Sequence, residues 1–136
     1  MSGNGSAPKA VLIVEDAETC ASTLEILFSS IRGLEILMAS SAEQAWQMLE
    51  RRAANIRAIV TDLHMPGMDG FDLIDRVRSD QRHSALPILV ITGSTDPDVP
   101  GRLRRHGVEA VFAKPYSPAL VREKLEQLLS DDMHGK

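Results

Sequence analysis

The chain has 136 residues, 43% of them apolar, a net charge of −4 at pH 7 and one cysteine. That is enough for one domain around one core and too little for two. The acidic balance gives no general attraction to nucleic acid or to an anionic membrane surface. No apolar stretch approaches the roughly 20 residues that span a bilayer, and Cys20 has no second cysteine for an internal disulfide. The expected setting is the cytoplasm, with a protein or a small anion as partner, and Cys20 is read as a small, buried or half-buried thiol.

In chain order, residues 1–8 are small and polar and are expected to form a disordered arm. Short β-branched runs then alternate with longer segments of helical period, five times over, the pattern of a parallel sheet covered by helices on both faces. The first strand is predicted over Lys9–Val14. The first helix spans about Ala17–Ser30, with Leu24, Leu27, Phe28 and Ile31 as its packed stripe, and Gly33 ends it. The second strand is Leu34–Ala39, and Ser40 or Ser41 caps a second helix carrying Ala45, Trp46, Met48 and Leu49. Trp46 is read as packing. The third strand is Ala58–Thr61, the third helix about Phe71–Ser79, the fourth strand Ile88–Ile91, the fifth Ala110–Ala113 and the fifth helix Pro118–Leu129, followed by a frayed tail over residues 130–136. The fourth helix is the awkward one. Asp96-Pro97 reads as a cap with proline behind it, yet Pro100-Gly101 follows directly, so the helix is expected to be late, short or distorted and to end before Gly107.

Chemistry gathers where the strands end. The first runs into Glu15-Asp16, the third into Asp62, the fourth into Thr92-Gly93-Ser94 and the fifth into Lys114-Pro115. If the strands are parallel, these ends share one sheet edge, the edge where open α/β sheets bind ligands. Taken singly, each residue has an ordinary reading: Asp16 as a turn or helix cap, Thr92-Gly93 as a turn, Lys114 as a solvated lysine, Met65-Pro66-Gly67-Met68-Asp69-Gly70 as a turn and helix start. Arg102, Arg104 and Arg105 read as a solvated helix face, and His64 and His106 have no second His or Cys at zinc-ligand spacing. Only the joint placement points to a site.

In order and spacing, Glu15-Asp16, Asp62 with the Met65–Gly70 turn behind it, Thr92 and Lys114-Pro115 resemble the receiver domain of two-component response regulators, over about residues 9–129. The resemblance implies a doubly wound, flavodoxin-like five-stranded parallel sheet in the order 2-1-3-4-5, which the alternation of strands and helices also favours. Three carboxylates at one edge repel and call for a cation, and an all-oxygen site suits Mg²⁺. By resemblance, Asp16 and Asp62 ligate Mg²⁺ directly, Glu15 directly or through water, and His64 through its backbone carbonyl. Asp62 is then the phosphoacceptor, taking a phosphoryl group from a phosphohistidine on a sensor histidine kinase or histidine phosphotransfer protein. Lys114 and Mg²⁺ neutralise the passing phosphoryl oxygens, and the Thr92 hydroxyl swings towards the product to report it.

The chain departs from the family pattern where many receivers have Tyr or Phe three residues before the lysine. Here that position is Val111, and Phe112 has the opposite strand parity. The output surface is expected on the face of the fourth helix, fifth strand and fifth helix, with the conformational route left open. No DNA-binding domain is expected after the fifth helix, so the chain is either a stand-alone receiver or a cut from a longer protein. Two other classes share features with this reading. A phosphatase of the haloacid dehalogenase type resembles Asp-x-Asp, but the second place here is His64, and such an enzyme loses its general acid. A degenerate receiver acting as a constitutive binding module would lack what Asp16, Asp62, Thr92 and Lys114 supply. The expectation is a signalling module that catalyses only its own phosphorylation and slow self-dephosphorylation.

Overall fold

The structure, a computed structural model, describes residues 9–52, 55–64 and 69–134. The N-terminal arm and the Met65-Pro66-Gly67-Met68 part of the turn motif lie outside the described residues. Five strands alternate with five helices: β1 Lys9–Val14, α1 Glu18–Phe28, β2 Leu34–Ala39, α2 Ala42–Arg52, β3 Ile56–Thr61, α3 Gly70–Ser79, β4 Ile88–Thr92, α4 Val99–Arg105, β5 Ala110–Ala113 and α5 Pro118–His134. The strands pair in parallel in the order β2-β1-β3-β4-β5. The order reverses between β1 and β3, so the ends of these two strands flank the switch point.

Strand alternation divides the apolar residues between two faces. Leu12, Val14, Ile59 and Val90 pack with Trp46 and Leu49 of α2, Leu73 of α3 and Leu103 of α4. Val11, Ile13, Val60 and Leu89 pack with Leu24 and Phe28 of α1 and Val121 and Leu125 of α5. Strands buried on both sides read as unbroken apolar runs, which is why β1 and β4 are so plain in the sequence. Each fully buried Leu, Ile or Phe contributes about 1.5–3 kcal/mol relative to exposure, and Trp46, 6% exposed, belongs to this core.

Several boundaries differ from the sequence expectation. Helix α1 stops at Phe28, earlier than Ser30, because the Ser29 and Ser30 hydroxyls donate to the Ile26 and Leu27 carbonyls and compete with further helix. Strand β3 starts at Ile56, and α5 runs on through the expected tail to His134. Of the two candidate caps for α2, Ser41 accepts from the Gln44 N–H at 3.1 Å. Helix α3 begins at Gly70 with a capping box, Asp69 and Asp72 each accepting the other's backbone N–H. Helix α4 is late and short as expected, but Asp98 is its N-cap residue, since the Asp96 carboxylate is spent on the Asp98 N–H at 2.9 Å.

Candidate active site at the carboxyl edge of the sheet

Parallel pairing brings the ends of β1, β3, β4 and β5 to one edge. Asp62 leaves β3 with its N–H on the Val14 carbonyl at 3.0 Å, and Glu15 leaves β1 with its N–H on the Ala39 carbonyl at 3.0 Å. Both side chains are buried, Glu15 at 5% and Asp62 at 8% exposure. Each carboxylate has one oxygen fixed by the backbone. Asp62 Oδ1 accepts from the Leu63 and His64 N–H groups at 2.6 and 3.3 Å, and Glu15 Oε2 from the Ala17 N–H at 3.1 Å.

Their other oxygens share a cation. The Lys114 ammonium lies 2.9 Å from Asp62 Oδ2 and 3.3 Å from Glu15 Oε1. Its backbone N–H bonds the Thr92 carbonyl at 2.8 Å, which ties the end of β5 to β4. Burial pulls the Lys114 pKa down, but the hydrogen bond and charge of Asp62, with Glu15 behind them, outweigh it and hold it above the ordinary lysine value. Burial raises the pKa of Glu15, opposed by the Ala17 N–H; the Asp62 charge adds to the rise and Lys114 offsets part of it. Two carboxylates against one ammonium leave the edge net negative.

Asp16 does not join them. Its side chain is exposed, and among the described residues no group of three or more His, Cys, Asp or Glu is placed to hold a metal. The buried part of the acidic edge is thus the Glu15–Asp62 pair on one ammonium, with Asp16 exposed on the cleft it shares with Glu15. The donor chemistry still fits Mg²⁺, being all oxygen with unbalanced negative charge, and no described residue hydrogen-bonds Asp16 to hold it outward.

Thr92, 3% exposed, presents its hydroxyl oxygen to the Ser94 N–H at 3.0 Å. The His64 side chain is exposed beside Asp62. Arg102, expected to be merely solvated, is exposed but also lays its guanidinium 3.9 Å from the centre of the Phe71 ring, joining α4 to α3. Val111 packs on the α2–α3–α4 face and Phe112 on the opposite one, as strand parity requires.

Sequence reasoning passed over two residues. Gly70 donates to the Leu63 carbonyl at 2.9 Å, and a Cβ there would overlap the Asp62 carbonyl oxygen and lie 2.7 Å from Leu63 Cα. Only glycine lets α3 start this close to the acidic strand end. Its place after Asp69 hinted at a helix start, not at this approach. The other is Arg78, at the far edge of the sheet, whose partners are all backbone carbonyls in distant turns apart from Glu109.

The order β2-β1-β3-β4-β5 and a buried carboxylate at the switch point define a doubly wound α/β protein with a charged ligand edge. Residues 11–126 match the response regulator receiver domain family, and the chain belongs to that family. It is 32% identical over 119 residues to chemotaxis protein CheY1 of Helicobacter pylori, covering 88% of this chain and 95% of that protein. It is 31% identical over 118 residues to chemotaxis protein CheY of Pseudomonas aeruginosa, covering 87% and 94%. The crystal structure of a response regulator receiver protein from Pseudomonas putida superposes with a TM-score of 0.79 at 31% identity, covering 93% of this chain and 98% of that one. The protein is thus a receiver domain of two-component signalling, of a family that generally uses Mg²⁺ for phosphorylation and acts with histidine kinases and downstream targets. Among the described residues no helix is long and apolar enough to cross a membrane.

Proposed function

We propose that Asp62 is the phosphoacceptor. The observation that carries this reading is the 2.9 Å contact between Lys114 Nζ and Asp62 Oδ2, with Oδ1 held by two backbone N–H groups. The carboxylate is fixed in direction and stands next to a cation that can follow a phosphoryl oxygen. In the step, an Asp62 oxygen attacks phosphorus of a phosphohistidine while the P–N bond breaks and the imidazole leaves with the electron pair, taking a proton. An acyl phosphate remains on Asp62. Glu15, Asp16, Asp62 and the His64 carbonyl would hold Mg²⁺, which supplies charge neutralisation at the phosphoryl oxygens. Lys114 transfers its contact from the carboxylate to the phosphoryl group, and the Thr92 hydroxyl proton, which no described residue accepts, becomes a donor to it.

The phosphodonor is a sensor histidine kinase or a histidine phosphotransfer protein, and the output partner is a protein meeting the face of α4, β5 and α5. The module modifies itself and has no turnover substrate. Intact mass measured after incubation with acetyl phosphate and Mg²⁺ tests this. One added phosphoryl group that outlasts the donor is the expected result. Donor hydrolysis without any mass gain would make the protein a phosphatase, and no change in either would make it a binding module.

A further inference from the structure

Thr61 is the last residue of β3 and is 1% exposed. In register it stands between Val14 of β1 and Val90 of β4, and both of these, with Ile59 and Leu63 two residues to either side of it, belong to the apolar layer under α2, α3 and α4. A valine would fill that place with the same shape. A hydroxyl buried there is costly unless it is bonded. Thr61 Oγ1 is bonded, and it donates to the carbonyl of the next residue, Asp62, at 2.7 Å.

That carbonyl shares one planar peptide unit with the Leu63 N–H, and in a trans peptide the two point in opposite directions. The Leu63 N–H meets Asp62 Oδ1 at 2.6 Å. The hydroxyl on one side and the carboxylate on the other therefore fix a single orientation of the plane, because turning the peptide breaks both bonds. Gly70 backs the same carbonyl oxygen so closely that a Cβ there would overlap it. The plane that steers the Asp62 carboxylate is thus held from inside the core.

We propose that Thr61 is a positioning residue for phosphoryl transfer: its hydroxyl holds the Asp62–Leu63 peptide so that the Leu63 N–H keeps Oδ1 in place while Oδ2 stays beside Lys114. Thr61 acts through that peptide and not by contact with the reacting atoms. Without the hydroxyl the peptide is free to rock, and the carboxylate loses its alignment with phosphorus while keeping its charge. The inference rests on Asp62 being the phosphoacceptor, so its test reads both.

Labelling with acetyl phosphate and Mg²⁺, followed as intact mass against time, is run on the full chain and on three variants. Thr61→Val keeps the shape and loses the hydroxyl, Thr61→Ser keeps the hydroxyl and loses the methyl group, and Thr61→Ala loses both. Thr61→Val is expected to label at least about 10-fold more slowly than the natural sequence, a modest share of the roughly 100-fold that a 1 Å misplacement can cost, and Thr61→Ser to stay within about 2-fold of it. Packing alone would rank the two the other way, because serine leaves a methyl-sized gap in the core and valine does not. Natural rates in Thr61→Val, or Thr61→Ser as slow as Thr61→Val, would overturn the inference alone. If Thr61→Val fails to fold, Thr61→Ala against Thr61→Ser isolates the hydroxyl: alanine should be the slower, and equal rates would overturn the inference. No mass gain in the natural sequence would overturn the phosphoacceptor reading and this inference with it.

Discussion

Two long cations, at opposite edges of one sheet, are used in opposite ways. At the amino edge, the Arg78 guanidinium donates to four backbone carbonyls and is 17% exposed. At the carboxyl edge, Lys114 alone faces two buried carboxylates, 29% exposed and outnumbered. Arg78 closes off hydrogen-bonding capacity, whereas Lys114 leaves a negative remainder. The first arrangement holds turns together; the second leaves an unbalanced negative edge at a cost in stability, where the proposed function places a cation and a phosphoryl group.

The comparison would be broken most forcefully at Arg78. Arg78→Ala strands four carbonyls in two connecting segments, those of Ser84 and Leu86 and those of His106 and Gly107, and hydrogen bonds to charged groups are worth about 1.5–3 kcal/mol each without being additive. We expect a loss of about 3 kcal/mol in urea unfolding, with the slope unchanged, while phosphorylation of the folded protein persists. A loss below about 0.5 kcal/mol would mean the clamp is ornamental.

Glu15→Gln sharpens the contrast from the other edge. Because burial raises the folded pKa of Glu15 above its ordinary 4.5, the native state binds more protons than the unfolded chain as pH rises past that value. Stability therefore falls there and stays lowered at neutral pH. Removing the charge should raise the melting temperature at pH 7, and the gain should vanish below pH 4.5, where the natural residue is protonated in both states. The same variant should show a weaker Mg²⁺-dependent rise in melting temperature. A lower melting temperature at pH 7 would show that the Lys114 contact outweighs the burial of Glu15.

The smallest expected effect is kinetic. The His64 side chain is exposed, and its backbone N–H lies 3.3 Å from Asp62 Oδ1; we expect an imidazole two residues after the acceptor to crowd the in-line path of water to an acyl phosphate. His64→Ala should therefore speed self-dephosphorylation severalfold, followed as first-order loss of aspartyl phosphate at fixed Mg²⁺ from pH 6 to 8. Slower decay would instead make His64 a group that positions water.

What the sequence disclosed depended on whether the signal was local. The runs Lys9–Val14, Leu34–Ala39 and Ala110–Ala113 coincide with β1, β2 and β5; β1 is the plainest because a strand buried on both faces of a parallel sheet is apolar throughout. The convergence of Glu15, Asp62, Thr92 and Lys114 followed from strand order alone. Which of two neighbouring carboxylates turns inward was not legible, because adjacency in sequence does not say it: Glu15 is buried and Asp16 exposed. Helix α4 was legible as late and short, but its cap was not, because Asp96 has two possible acceptor roles and the turn to Asp98 won. Arg78 and Gly70 act on backbone far away in the chain or across a loop, and nothing in their immediate neighbours marks them.

The central claim is that Asp62 carries the signal. After labelling with acetyl phosphate and Mg²⁺, peptide mass mapping should find the phosphoryl group on the peptide containing Asp62, released by hydroxylamine and absent from Asp62→Asn. An acid-stable phosphate on serine or threonine, or undiminished labelling of Asp62→Asn, would contradict the account.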